Sequence, residues 1–298
     1  MVVPVAYSRC ATIRSMTHHA EHDGQTVLLD ESVARAFDVD RPVVRLPGGE
    51  GRTYRAGDVV LRRETDDAAV GWTADLFAGI EETGFRVARP IRTRQGGWLA
   101  AGEWSAWTFL EGRPATRDDL AQVVPAIDAF HAALAGAPRI ASLRASDNPF
   151  GRADLGAWDG PPTVSHPRIA ALLARLAAVR RPIHDTRDQV IHGDLNPGNI
   201  LVAPGLAPAI IDIAPYWRPA GFAAAVAAFW FGPYNADPSA LAHFAHIPHF
   251  DQFLVRAATR MLLAKTEFGT FDDLDRYDPA VAIVADYVHR SHPRHTLP

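Results

Sequence analysis

The stretch Val190-Ile191-His192-Gly193-Asp194-Leu195-Asn196-Pro197-Gly198-Asn199-Ile200-Leu201, followed by Ile210-Ile211-Asp212, decides how this chain is read. Asn199 lies five residues after Asp194 and Asp212 thirteen after Asn199, and apolar β-formers flank the set. Transfer of a phosphoryl group from a nucleotide needs little covalent help from a protein. It needs a carboxylate to orient and deprotonate an acceptor hydroxyl, and oxygen ligands to hold Mg²⁺ against the phosphates. One short loop and the strand end that follows it can supply all three.

Gly, Asn, Asp and Pro are also turn formers, so Gly193-Asp194 and Asn196-Pro197-Gly198-Asn199 can be read as turns alone. That reading accounts for each residue singly and leaves the spacing of the two carboxylates and the amide unexplained.

The run His192-Gly193-Asp194-Leu195-Asn196-Pro197-Gly198-Asn199 resembles the catalytic loop of the aminoglycoside phosphotransferase and choline kinase-like superfamily, whose usual form is H-G-D-x-x-x-x-N. The likeness runs from about Val43 to about Leu263, and Ile213 to Pro219 is similar to an actinobacterial branch. It implies a bilobal protein kinase-like fold of the α+β class, with a small antiparallel N-lobe and a larger, mainly helical C-lobe. It also implies Asp194 as catalytic base, Asn199 and Asp212 as Mg²⁺ ligands, and His192 as a loop-shaping residue that hydrogen-bonds the backbone. ATP or another nucleoside triphosphate, with Mg²⁺, would be the cofactor.

Composition bounds the alternatives. A chain of 298 residues that is 48% hydrophobic and 21% charged has the make-up of an ordinary globular protein. A net charge of −4 supplies no drive toward nucleic acid. The richest apolar run, Ala220 to Phe231, is too short to span a membrane. Residues 1–25 carry no basic-then-apolar signal and read as a disordered leader, with Met16 a second candidate start, so a cytoplasmic location is expected. The single cysteine, Cys10, excludes an internal disulfide. Lys265 is the only lysine, so 29 of the 30 basic residues are arginine.

Periodicity predicts two parts. Short strand-like runs at Val43–Leu46, Val59–Leu61, Arg86–Ala88, Trp98–Ala100 and Trp104–Leu110 surround a helix over Ala68–Ile80, and a short helix starts near Asp30. Helices are then predicted over Arg117–Leu134, Pro167–Val179, Ala220–Phe231, Phe250–Phe268 and Pro279–His289, with residues 136–165 as an irregular insertion. The boundary falls near Glu111-Gly112-Arg113-Pro114, giving a nucleotide-binding N-lobe over 26–111 and a C-lobe over 112–298.

On the nucleotide side, Gly48, Gly49 and Gly51 in Pro47-Gly48-Gly49-Glu50-Gly51 suit a loop whose backbone N–H groups approach phosphate oxygens; a plain hairpin turn is equally glycine-rich. Where the family carries a phosphate-binding lysine, this chain has Arg62, bulkier and planar but able to fork to two phosphate oxygens, or else an exposed strand-end cation. Asp75 is its best-placed acidic partner on the next helix, with Glu81 and Glu82 competing and a solvated helix face as the plain reading. Trp107 to Gly112 resembles the hinge, where Phe109 and Leu110 would offer backbone groups to adenine.

On the acceptor side, Ile213-Ala214-Pro215 replaces the family's aromatic or glycine turn after Asp212. Tyr216, Trp217 and Arg218 then suit a flat, neutral or anionic acceptor, or else pack the C-lobe. Polyamine antibiotics call for carboxylates there, so an aminoglycoside is disfavoured. His131, on an apolar helix, reads as a satisfied core histidine, and Asp272, Asp273 and Asp275 as a surface acidic turn. The expected function is ATP-dependent, Mg²⁺-assisted phosphoryl transfer to a small-molecule hydroxyl, with no nucleic-acid or membrane partner. The alternatives are a nucleotide-binding regulatory protein without turnover (a pseudokinase) and a Ser/Thr kinase acting on a biosynthetic peptide.

Overall fold

The computed structural model describes residues 26–46, 51–64, 66–139 and 148–292. Short runs rich in Val, Thr and Tyr, separated by turns, form β1 (Thr26–Val27), β2 (Val43–Arg45), β3 (Thr53–Ala56) and β4 (Val59–Arg63), with α1 (Glu31–Ala36) between the first two. Next come α2 (Asp67–Gly79), β5 (Arg86–Val87), β6 (Pro90–Ile91) and β7 (Trp104–Thr108). Asp66 starts α2 by accepting the N–H groups of Ala68 and Ala69. Six of these strands form an antiparallel sheet in the order β1-β2-β3-β4-β7-β6. Its register sets Arg62 opposite Thr53 and Ser105, and Leu61 opposite Tyr54 and Ala106. Successive strand residues face opposite ways. Leu61 and Ala106 therefore enter a small core with Val33, Phe37 and Val43, while Arg62 and Ser105 lie on the other face.

The larger part follows as β8 (Arg113–Pro114), α3 (Leu120–Ala133), α4 (Pro149–Asp159), α5 (Pro167–Val179), β9 (Gln189–His192), β10 (Ile200–Val202), β11 (Ala209–Ile210), β12 (Pro215–Arg218), α6 (Ala220–Phe231), α7 (Phe250–Phe268) and α8 (Tyr277–Ser291). Helix α5 buries one stripe, Ile169, Leu172, Leu173 and Leu176. Helix α6 is apolar all round and is buried from Phe222 to Phe231, as a helix at the centre of a core must be. Helix α7 ends at Gly269, whose φ of +63° suits a left-handed cap. Among the described residues no helix is long and apolar enough to cross a membrane.

Two small sheets position the loop of interest. Strands β9 and β12 pair antiparallel, and a second sheet runs β5-β11-β10-β8. Strand β5 comes early in the chain yet lies parallel to β11, and Phe77, Ile80, Phe85 and Val87 join the large core. The smaller part is thus anchored to the larger one by packing as well as by the connecting segment. That segment passes close to β10 at Gly112 (φ +153°), where a Cβ would stand 2.9 Å from Leu201 Cβ.

Three expectations are corrected. The segment read as an irregular insertion contains α4; Gly151 and Gly156 argue against a helix by propensity, but a Cβ at Gly156 would lie 2.6 Å from Leu263, so the glycine is what lets α4 approach α7. Trp98–Ala100 is no strand, since only Ala100 makes an isolated bridge, to Trp104. The Thr53–Ala56 run, unmarked by periodicity, is a full member of the main sheet.

Candidate active site

Strand β9 delivers His192 to the start of the Asp194 loop, and its pairing with β12 (His192 opposite Pro215) brings the segment after Asp212 alongside. His192 is fully buried. Its Nε2 lies 3.1 Å from the Ile211 carbonyl, and its Nδ1 faces the N–H groups of Asp194 at 3.2 Å and Ala214 at 3.3 Å. With two backbone donors on Nδ1, the ring must be neutral and protonated on Nε2, which donates to Ile211. Burial lowers its pKa to about 4, against the opposing pull of the Ile211 carbonyl. Gly193 N–H donates to Ala214 O at 2.8 Å and Ile211 N–H to Asn199 O at 3.0 Å. The two segments are thereby laced together along their length, and His192 is a positioning residue in the middle.

Asn199 closes the loop. Its Nδ2 donates to the Asp194 carbonyl at 2.7 Å and lies 3.3 Å from Asp194 Oδ2. That commits the amide nitrogen and leaves the amide oxygen as the donor available to a cation. Asp212 has φ of +53°, a left-handed conformation that Asp tolerates better than most side chains but that still costs about 1 kcal/mol or more. The bonds at Ile211 and Ala214 hold it there. Two hard oxygen donors fit Mg²⁺, which takes one or two protein ligands and completes its shell with phosphate oxygens and water. Among the described residues no group of three or more His, Cys, Asp or Glu forms an all-protein cage.

Behind the loop stand residues that sequence reasoning missed. Arg260 of α7, only 3% exposed, donates from NH1 to Gly193 O at 2.6 Å and lies over the Tyr216 ring at 4.5 Å. Asp154 of α4 is buried and accepts Arg218 Nε and NH2 at 2.9 and 2.7 Å. Burial pushes its pKa up, opposed by the Arg260 and Arg218 guanidinium groups. The signal was present: an arginine in the apolar run Val255 to Leu263 is one that is buried only if partnered. His131 is a satisfied core residue, as read from the sequence, and also has a task. Its Nδ1 lies 2.8 Å from Ile127 O, and its Nε2 accepts the His192 N–H at 3.2 Å. Burial lowers its pKa to about 4 as well.

On the nucleotide side, Arg62 reaches down from β4. Its NH1 lies 2.8 Å from Asp212 Oδ1 and its Nε 3.8 Å from Glu64 Oε1. The expectation for Asp75 is corrected: its carboxylate accepts Trp98 Nε1 at 2.9 Å and lines a cavity of about 960 Å³ between α2 and the end of α3. Ala129, Ala132 and Ala133 of α3 line the same cavity. Glu82 pairs with Arg89 at 3.0 Å, and Glu81 is exposed. Gly51 takes φ of +70° in the β2–β3 connection, and a Cβ there would collide with the Arg45 guanidinium at 1.6 Å. Gly48 and Gly49 lie outside the described residues. Of the two expected hinge residues, Phe109 uses its N–H to continue the β4–β7 ladder, donating to Asp58 O at 2.8 Å. Leu110 N–H has no backbone acceptor among the described residues.

The acceptor-side expectation is also revised. Tyr216, Trp217 and Arg218 form β12, paired register for register with β9. The Tyr216 ring covers Gly193 so closely that a Cβ there would sit 2.1 Å from it. Trp217 packs half-buried against the large core. Arg218 is committed to Asp154, with its guanidinium 5.0 Å from the Trp158 ring centre.

Comparison with known proteins bears on the fold and the family. The most similar solved structures include a thermostable mutant of aminoglycoside phosphotransferase APH(4)-Ia at 13% identity and TM-score 0.53, covering 88% of this chain and 94% of the other. Spectinomycin phosphotransferase APH(9)-Ia matches at 13% identity and TM-score 0.52, over 87% and 96%. The amicoumacin kinase hAmiN matches at 13% identity and TM-score 0.50, over 92% and 90%. At such identities the likeness is one of fold, and it is the bilobal kinase-like fold. No curated protein matches the chain by sequence. The model of the phosphotransferase enzyme family matches residues 43–216, which is more than half of the chain and contains Arg62, Asp194, Asn199 and Asp212. With that span matched and the loop built as described, this chain belongs to the phosphotransferase enzyme family.

Proposed function

We propose that this phosphotransferase moves the γ-phosphoryl group of ATP to a hydroxyl of a small molecule. One observation carries the reading: Asn199 is bonded at once to the carbonyl and carboxylate of Asp194 and, through Ile211, to the segment bearing Asp212. A base and two cation ligands thus share one hydrogen-bonded unit. Asp194 takes the proton of the acceptor hydroxyl as that oxygen bonds the γ-phosphorus and the bridging oxygen leaves with ADP. Asn199 and Asp212 would hold Mg²⁺, which when bound neutralises charge on the phosphates. Arg62 forks to phosphate oxygens from above. Support for an adenine nucleotide comes from the neighbours: APH(9)-Ia was solved with AMP, and hAmiN with AMP-PNP and Ca²⁺.

The acceptor is defined by its hydroxyl alone. Because Arg218 is tied to Asp154, a flat or anionic acceptor is no longer favoured over another. Asp194→Asn tests the chemistry: turnover should fall by about 10²–10⁴ while ATP binding persists. Wild-type turnover in that variant would end the reading. Screening sugars, nucleosides, amino alcohols and peptides with labelled ATP identifies the acceptor.

A second reading, a nucleotide-binding regulator without turnover, draws on Arg62 standing on Asp212 at 2.8 Å. It requires ATP binding that is indifferent to Mg²⁺, whereas the phosphotransferase reading requires binding that tightens with the metal.

A further inference from the structure

We infer that Glu64, rather than a carboxylate of α2, is the acid that positions Arg62, so that the cationic side of the nucleotide site is built within the sheet itself; this rests on the proposed role of Arg62 toward phosphate. Arg62 and Glu64 are two residues apart on an extended run and so share a face. Glu64 N–H donates to Glu103 O at 2.6 Å, which continues the β4–β7 pairing past the end of β4. Glu64 Oε1 accepts Ser105 Oγ at 2.7 Å, and Ser105 Oγ in turn accepts Trp107 Nε1 at 2.9 Å. Ser105 is the β7 residue directly opposite Arg62 and is buried. A single polar run therefore crosses one face of the sheet from Trp107 through Ser105 and Glu64 to Arg62 and ends on Asp212. Asp75, the acid expected to do this, is held by Trp98.

The same geometry accounts for arginine at this position. Glu64 faces Nε and Asp212 faces NH1, two different nitrogens of one planar group. A guanidinium bridges acids on two sides in a set orientation, which the single point charge of a lysine does not. The Glu64 side chain is 17% exposed and that of Arg62 30%, so the pair is screened enough to yield to a phosphate and dry enough to be aimed.

The test uses the full chain and reads ATP affinity by displacement of a fluorescent nucleotide, alongside KM, kcat and melting temperature. Glu64→Gln keeps the acceptor for Ser105 and removes only the charge. It should weaken ATP about three- to tenfold, with the loss in KM rather than kcat and no change in melting temperature. Glu64→Asp should recover most of that loss, which a merely structural role would not produce. Unchanged affinity in Glu64→Gln, in a protein whose Arg62→Ala variant is weakened, overturns the inference. So does tighter binding, which would make Glu64 a competitor for the guanidinium, and so does a loss that follows Asp75→Asn instead. If Arg62→Ala itself binds ATP as wild type does, the phosphate role of Arg62 fails first, and the inference fails with it.

Discussion

The two sides of the candidate site are built from the same kinds of charged and polar residues but held in opposite ways. On the loop side, His131, His192, Asp154 and Arg260 are all buried, and all but Asp154 are bonded to a backbone atom of the loop or of the helix beneath it. On the proposed nucleotide side, Arg62, Glu64 and Asp212 meet through ion pairs whose side chains are 17–30% exposed. A buried polar group left unpartnered costs far more than a surface pair gains. The loop side is therefore set before any ligand arrives. Partly exposed ion pairs of the Arg62 kind contribute little, which suits the proposed exchange of a carboxylate for a phosphate there.

The largest effect that would break this contrast is at Arg260. Arg260→Met leaves Gly193 O without that donor and Asp154 with one countercharge fewer, and should destabilise the fold by about 3 kcal/mol or more in urea unfolding. Combined with Asp154→Asn, the loss should be less than additive. A variant within 0.5 kcal/mol of wild type would place Arg260 with the exposed pairs (an order-of-magnitude surface value).

Acid should act on the same side. His131 and His192 are held near pKa 4 by burial against 6.5 when unfolded, so both are neutral in the fold and gain protons on unfolding. Stability is then full above pH 6.5 and falls as pH drops from 6.5 toward 4, by on the order of 3 kcal/mol per ring. Unfolding free energies measured at steps across that window check the slope, and a flat profile contradicts the neutral rings. A smaller loss, about 10²-fold in turnover, is expected for Gly193→Ala, because its Cβ would displace the Tyr216 ring and with it the loop. Pairing it with Tyr216→Gly should restore part of the activity. The smallest effect sharpens the contrast from the other side. Arg62→Lys should change the KM for ATP by about tenfold or less and leave the melting temperature unmoved.

Much of this was legible in residue order. Asp194, Asn199 and Asp212 announce themselves by spacing, and helices α5, α6 and α7 by apolar stripes or continuous apolar runs with matching ends. The failures have one cause. Helix α4, the real partner of Asp75, the use of Phe109 N–H in the ladder and the binding of Arg218 to Asp154 all depend on what lies opposite a residue in space. Gly156 reads as a helix breaker until Leu263 is placed against it.

By itself, then, the sequence marked the candidate site: two carboxylates, an amide and a histidine at fixed spacings, between runs whose periodicity specifies strand or helix. Tertiary structure alone decided how those groups are held. The pairing of β9 with β12 laid one loop segment on the other, and the packing of α4 and α7 carried Asp154 and Arg260 beneath them. The reason is physical: periodicity encodes which face of an element is apolar, while the partner of a buried charge comes from an element far away in the chain, chosen by packing and by the cost of leaving that charge alone.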